Sequence, residues 1–300
     1  MSGSQNVEKA AKTAPAAEPE TSISYQGAPG AFSNLACRQV FPDLTAVPCN
    51  TFAEALSAVH DRRVRLAMIP IENSLGGRVA DIHRLLPGSG LFIIGEHFLP
   101  VHHYLLAPKG ATIETVKRVH SHEQALAQCR DLIRELGIEA VVHADTAGAA
   151  RDIAAAGDPS DAAIASSLAG EVYDLQALRS RIEDKLNNTT RFLVMSRDRV
   201  EPPVDGQPCM TSFIFEVRSQ PAALYKALGG FATNGVNVTK LESYITDASF
   251  QAAQFYAELE GHVAERHVAR AMEELQFFSS RLRVLGVYPA HSFRRQFRTE

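Results

Sequence analysis

Four short clusters set hydroxyl, amide and carboxylate groups at the edges of apolar runs. Glu72–Asn73–Ser74 ends the run "RLAMIPI" and is followed by Gly76 and Gly77. Ser121 ends "TVKRVHS", with Gln124 and Gln128 four residues apart on the helical pattern that follows. Thr146 opens the small-residue stretch "TAGAARD", and Thr190–Arg191 opens "TTRFLVMS" directly after Asn187–Asn188. Hydroxyls and amides gathered in this way suit an oxygen-rich anion. Glycine N–H groups can approach such an anion closely, and Arg191 offers a fork for a carboxylate. Each cluster also has a plainer reading: a solvated turn at Asn73 and Ser74, N-caps at Ser121 and Thr146, and an ordinary turn at Asn187–Thr190.

Other chemistries find little support. His97, His102 and His103 have no carboxylate at ligand spacing, and neighbours on a strand point to opposite faces, so no metal is expected. No P-loop, GxSxG or GxGxxG is present, and the candidate nucleophiles lack an evident base partner. A net charge of −4 over 300 residues argues against a broad nucleic-acid-binding surface. Cys37, Cys49, Cys129 and Cys209 are scattered, which fits a reducing compartment. No apolar run reaches membrane-spanning length, and the first residues lack the apolar core of a signal peptide. The expectation is a cytoplasmic protein that uses no membrane or nucleic-acid partner. The three N-x-[ST] matches at Asn187, Asn188 and Asn237 then carry no glycosylation.

The elements that must position these groups alternate. From Ser22 to Arg197, short strand-like runs and helical patterns follow one another, including Thr51 as a plausible N-cap and one long helix in "HEQALAQCRDLIREL". Such alternation predicts a layered α/β fold with largely parallel strands and ligands at strand carboxyl ends. "SRDRVEPPVDGQPC" breaks the rhythm as a linker. Beyond it, βαββαβ order in a short unit predicts an α+β, ferredoxin-like arrangement. The expected divisions are a disordered tail over 1–21, a first region over 22–198, a linker over 199–208, a second domain over 209–290 and a tail over 291–300.

"YQGAPGAFSNLA", "IPIENSLGGRV", "HFLPVHHYLL", "VHSHEQALAQC" and "NNTTRFLVMS" follow in this order. The set resembles the prephenate dehydratase family across essentially Ser22 to Ser196, and the unit after the linker resembles that family's ACT regulatory domain. The resemblance implies a two-lobed catalytic domain of the type II periplasmic-binding-protein kind. It implies conversion of prephenate to phenylpyruvate, water and carbon dioxide in phenylalanine biosynthesis, with no cofactor. Arogenate is the alternative substrate, and a non-catalytic amino-acid-binding sensor is the reading from another class.

By motif, the resemblance gives Thr190, Asn73, Ser121, Gln128 and Glu72 catalytic roles. It gives Ser74, Gly76, Gly77, Thr146, Arg191 and Phe192 to substrate binding, with Thr190 and Arg191 entering the cleft and Phe192 packed behind. Ala223, Leu224, Asn237, Glu242 and Ser243 are the implied contacts of an L-phenylalanine effector between two ACT units of a homodimer or homotetramer. The chain departs from the family at Ala31, where a threonine is common, and at Tyr225 and Tyr244–Ile245 in the effector segments.

Overall fold

The computed structural model describes residues 18–217, 220–245 and 253–297, so most of the tail expected over 1–21 lies outside the described residues, while its last residues, Pro19–Thr21, form a short 3-10 helix. Its first sheet holds β1 (Ser22–Gln26), β2 (Thr45–Cys49), β3 (Leu66–Asn73), the two-residue β4 (Gly77–Arg78) and β5 (Phe92–Pro100). The helices of this part are α1 (Phe32–Val40), α2 (Phe52–His60) and α3 (Ala80–Leu85). Thr51 caps α2 by accepting from Glu54 N at 3.1 Å, as its position before the apolar pattern implied.

The second sheet holds β6 (Tyr104–Ala107), β7 (Arg118–Ser121), β8 (Glu139–Val142), β9 (Asp161–Ala165) and β10 (Gln176–Ser180). Its helices are α4 (Glu123–Gln128), α5 (Arg130–Leu136), α6 (Thr146–Ala156) and α7 (Ser167–Val172). The chain then returns as β11 (Thr189–Ser196), which inserts between β3 and β5 to give the order β2-β1-β3-β11-β5. Residues 101–103 and 181–188 therefore join the two sheets.

Both sheets are mixed, which corrects the largely parallel reading. β1 is parallel to β2 and β3, and β7 to β8 and β9, but β11 runs antiparallel to both neighbours and β6 antiparallel to β9 and β10. Strands that follow a crossing between units enter from the opposite end, so their direction reverses. The long helix expected over "HEQALAQCRDLIREL" is also two helices. Cys129 leaves helical geometry at φ −125°, and Asp184 caps the second piece by accepting from Arg130 N at 3.0 Å and Asp131 N at 3.2 Å. The cap comes from the returning crossing, 53 residues away, so no local signal marks the break.

The third sheet holds β12 (Cys209–Val217), β13 (Val238–Ile245), β14 (Ala253–Glu260) and β15 (Ser279–Pro289), with α8 (Ala223–Thr233) and α9 (Arg266–Phe278). Its order is β13-β14-β12-β15, antiparallel throughout. Phe213, Phe215, Ala227, Phe231, Val268 and Leu275 bury one face under the helices. Met210, Ile214, Tyr256, Leu285 and Tyr288 bury the other face against the first sheet, in one core with Ile69, Ile71, Leu193 and Met195. β15 lies so close to β5 that a Cβ on Gly286 would stand 2.0 Å from the Ile93 carbonyl oxygen, which leaves room for no other residue. Within the segment read as a C-terminal tail, Phe293 stacks on Phe98 with ring centres 4.6 Å apart and Arg294 bonds Glu96 at 2.7 and 2.8 Å, while residues 298–300 lie outside the described residues.

His83 of α3 lies in this contact, 1% exposed, with its ring 5.7 Å from Tyr244 and 5.4 Å from Tyr256. Among the described residues neither ring nitrogen finds a partner, nor does the Tyr244 hydroxyl. Burial pushes the imidazole down to about 4 from 6.5, with Lys240 lowering it further against Glu242, Glu72 and Glu258. An imidazole held below its unfolded value contributes fully above 6.5, and that contribution is lost as pH falls towards 4, because only the unfolded chain takes up the proton. The loss amounts to about 3 kcal/mol. In urea titrations, His83→Phe should keep or slightly raise stability at pH 7 and flatten the decline between pH 6.5 and 4. An unchanged slope would exclude His83 as its source.

Candidate active site

The sequence-expected groups meet only in part. A cleft of about 230 Å³ between the first and second sheets is lined by Asn73, Gln128, Thr146 and Thr190, together with Phe32, Val101, His103, His122, Gln124, Ala125, Asp145 and Asn188. β3 and β11 are paired with Asn73 opposite Thr190, so the two side chains emerge side by side.

Asn73 is held in one orientation. Its Oδ1 accepts from Leu75 N at 3.0 Å and Gly76 N at 2.7 Å, a turn closed by the side chain itself. Its Nδ2 donates to Asn188 Oδ1 at 2.7 Å and to Thr190 Oγ1 at 2.9 Å. Thr190 Oγ1 is thereby an acceptor on the protein side, and its O–H proton is left to donate into the cleft. Asn188 passes the chain on by donating to Gln128 Oε1 at 2.8 Å. The same oxygen faces His103 Nε2 at 3.0 Å, which requires His103 to carry its proton on Nε2. Burial lowers the His103 pKa, with Gln128 and Glu183 opposing, so the ring is the neutral form. Glu183 fixes this segment by accepting from His103 N at 2.9 Å and holding His102 at 2.7 Å.

Thr146 reaches the cleft because it is not the helix cap. Asp145 takes that part, accepting from Gly148 N at 2.7 Å, and Thr146 becomes the first helical residue. Gly76 faces the second unit directly: a Cβ there would lie 2.1 Å from Gln124 Nε2. Gly77 has φ +75° and turns the chain into β4.

Five expected residues lie elsewhere. Ser121 is fully buried and donates to the Ile164 carbonyl at 2.6 Å, tying β7 to β9. Ser74 staples the loop, donating to Asn187 O at 2.9 Å and accepting from Thr189 N at 2.9 Å. Phe192 fills the core with Ile23, Tyr25 and Met68. Arg191 does not enter the cleft beside Thr190, since alternate residues of a strand face opposite sides. It lies 3% exposed on the far face, donating to Glu72 at 2.8 Å, Glu96 at 2.8 Å and Glu258 at 2.8 Å, and to the Tyr288 hydroxyl at 3.1 Å. Glu72 shares that face and also meets Lys240 at 2.5 Å. Burial raises the Glu72 carboxyl, but Arg191 and Lys240 outweigh it and hold it at about 2.

The expected effector contacts separate as well. Ala223 and Leu224 line an opening with Pro221 and Tyr225, Asn237 donates to Glu260 at 3.2 Å, Glu242 pairs with Arg78 at 3.2 Å, and Ser243 lies exposed on the edge strand β13. Ala223 and Leu224 thus line a different opening from Asn237.

This geometry defines a class: an α/β protein with a polar cleft between two mixed sheets and a third, antiparallel sheet packed behind the first. Among the described residues no group of three His, Cys, Asp or Glu could hold a metal, and no helix is long and apolar enough to cross a membrane. The family model described as prephenate dehydratase matches residues 23–200. The chain belongs to the prephenate dehydratase family. It is 52% identical over 277 residues, 92% of its length and 99% of the relative's, to the bifunctional N-acyl-homoserine lactone acylase/prephenate dehydratase of Komagataeibacter europaeus. It is 40% identical over 89% of its length and 68% of the relative's to arogenate dehydratase/prephenate dehydratase 6 of Arabidopsis thaliana. Among solved structures, the prephenate dehydratase of Arthrobacter aurescens in complex with L-Phe is similar at 31% identity and TM-score 0.82, covering 90% of each chain.

Proposed function

We propose that the protein is a lyase that converts prephenate to phenylpyruvate, water and carbon dioxide. The observation that carries this reading is the Asn73–Thr190 pair, whose bonding leaves the Thr190 proton directed into the cleft. As the C–CO₂ bond breaks, its electron pair flows into the ring and expels the 4-hydroxyl, which leaves as water once it gains a proton. Thr190 O–H faces that hydroxyl, directly or through a water, while Asn73, Asn188, Gln128 and His103 hold the threonine and the ring in register. Threonine is a weak acid, so positioning and fixed dipoles supply much of the acceleration. With Arg191 turned away, the substrate carboxylates meet Thr146 and Gln124, which line the cleft.

The two sheet-centred units fit a two-lobed catalytic domain of the periplasmic-binding-protein kind, and the third sheet with its two helices fits an ACT unit. The likeness to a relative solved with L-Phe supports L-phenylalanine as effector. Its site then needs two copies of this chain, since the candidate contacts diverge within one. Titrating L-phenylalanine should lower dehydratase activity. Flat activity up to millimolar effector would remove the regulatory part.

Names of the relatives favour two further substrates, arogenate and N-acyl-homoserine lactones. One experiment separates all three: purified protein is offered each compound, with phenylpyruvate absorbance, phenylalanine and free homoserine lactone as readouts. The expected order of kcat/KM places prephenate first, and a protein inert towards prephenate refutes the reading.

A further inference from the structure

The cleft strands are gripped from behind. Thr190 and Asn73 are paired across β11 and β3, and so are their sequence neighbours Arg191 and Glu72. The first pair meets in the cleft, the second on the opposite face. There Glu96 of β5 is one further partner of Arg191, and the third sheet supplies the others: Glu258 and Tyr288 to Arg191, and Lys240 to Glu72. Glu258 is 1% exposed and is also bonded by the Tyr256 hydroxyl, and Arg294 lies 3.5 Å from it while binding Glu96. Three cations, Arg191, Lys240 and Arg294, thus face three carboxylates, Glu72, Glu96 and Glu258, across one seam.

A one-residue step separates Arg191 and Glu72 from the cleft residues Thr190 and Asn73, and a strand transmits displacement to its neighbour through the backbone. A register irregularity follows Arg191, which pairs with Glu72 while Phe192 pairs with Pro70, so the paired ends are offset from the rest of the ladder. We propose that Glu258 and Tyr288 of the third sheet act as positioning residues for Thr190 and Asn73 through Arg191, so that the third sheet sets turnover by holding the cleft strands in register. The inference rests on the reading of Thr190 as the group facing the leaving hydroxyl.

The test uses full-length Glu258→Gln, with Tyr288→Phe as a milder variant and Glu216→Gln, in the same unit but outside the clasp, as control. Expected for Glu258→Gln is about a tenfold loss of kcat with KM within about twofold, since small misplacements of a reacting group cost rate rather than binding. Hydrogen exchange at Thr189–Arg191 and Glu72–Asn73 should rise in the same variant. Tyr288→Phe should shift both readouts less and in the same direction, with the control unchanged. A folded Glu258→Gln with unchanged kcat and exchange overturns the proposal; if that variant does not fold, the same result in Tyr288→Phe does. If the unsubstituted protein does not turn over prephenate, the functional reading fails instead, and the exchange measurement still decides the coupling.

Discussion

Thr190→Ala should lower kcat by about 10²-fold or more, the lower end of what a positioned proton donor contributes, with KM little changed. Only the hydroxyl is lost, because Asn73 stays locked by Leu75 N and Gly76 N and still reaches Asn188. Thr190→Ser restores the hydroxyl and should recover much of the rate. Thr189→Ala should be mild. The bonds of Thr189 to Ser74 run through its backbone N–H and carbonyl, which the substitution keeps. The measurement is phenylpyruvate formation under saturating prephenate. Near-normal turnover in Thr190→Ala removes the hydroxyl from the mechanism, and equal damage from Thr189→Ala refutes the register.

Arg191→Met should cost stability on the scale of 3–5 kcal/mol, roughly the cost of breaking a buried ion pair from one side. Glu96 and Glu258, at 0% and 1% side-chain exposure, would lose a cation each. The pH dependence gives the loss a signature. In the native protein Glu72 is held at about 2, and Glu96 is also lowered: burial raises it, but Arg294 and Arg191 outweigh that. Carboxyls held below their unfolded value contribute fully above about 4.5, and the contribution is lost as pH falls towards 2. Without Arg191 the carboxylates are buried with too little positive charge and bind protons more readily, so the gap between variant and native should narrow from pH 7 to pH 4. Denaturant midpoints across that range check it. A variant of native stability with a raised KM would instead return Arg191 to the substrate, as the sequence resemblance implied.

These two results also mark what the sequence could and could not reveal. Local pattern was enough for Thr51 as a cap and for βαββαβ order after the linker, because both depend on neighbours in the chain. Asn73 and Thr190 were legible as strand-end polar groups. Asn188 is a polar group of the same kind two residues before Thr190, but it lies in the crossing 181–188, so strand pattern alone does not place it. His103 was not legible in this way, because residues 101–103 form the crossing between the sheets and not a strand, so no alternation tells it from His102. Arg191, by contrast, resembles a carboxylate ligand in every local respect. What claims it is Glu258, 67 residues on in a different sheet, and no short-range pattern encodes that. The broken helix at Cys129 is of the same kind, since its cap is Asp184.

The insertion of β11 between β3 and β5 has a consequence for synthesis of the chain. Asn73 is made early, but its partners Asn188 and Thr190 follow 115 and 117 residues later. Until then β5 has no neighbour in its own sheet, because β11 alone joins it to β3. Residues 104–180 can complete the second sheet in the interval, while the first stays open at its centre. Non-local pairing of this kind is slow and leaves strand edges bare while it waits. A nascent chain therefore gains its cleft in one late step, when the strand bearing Thr190 leaves the ribosome and closes a gap its own protein has kept open.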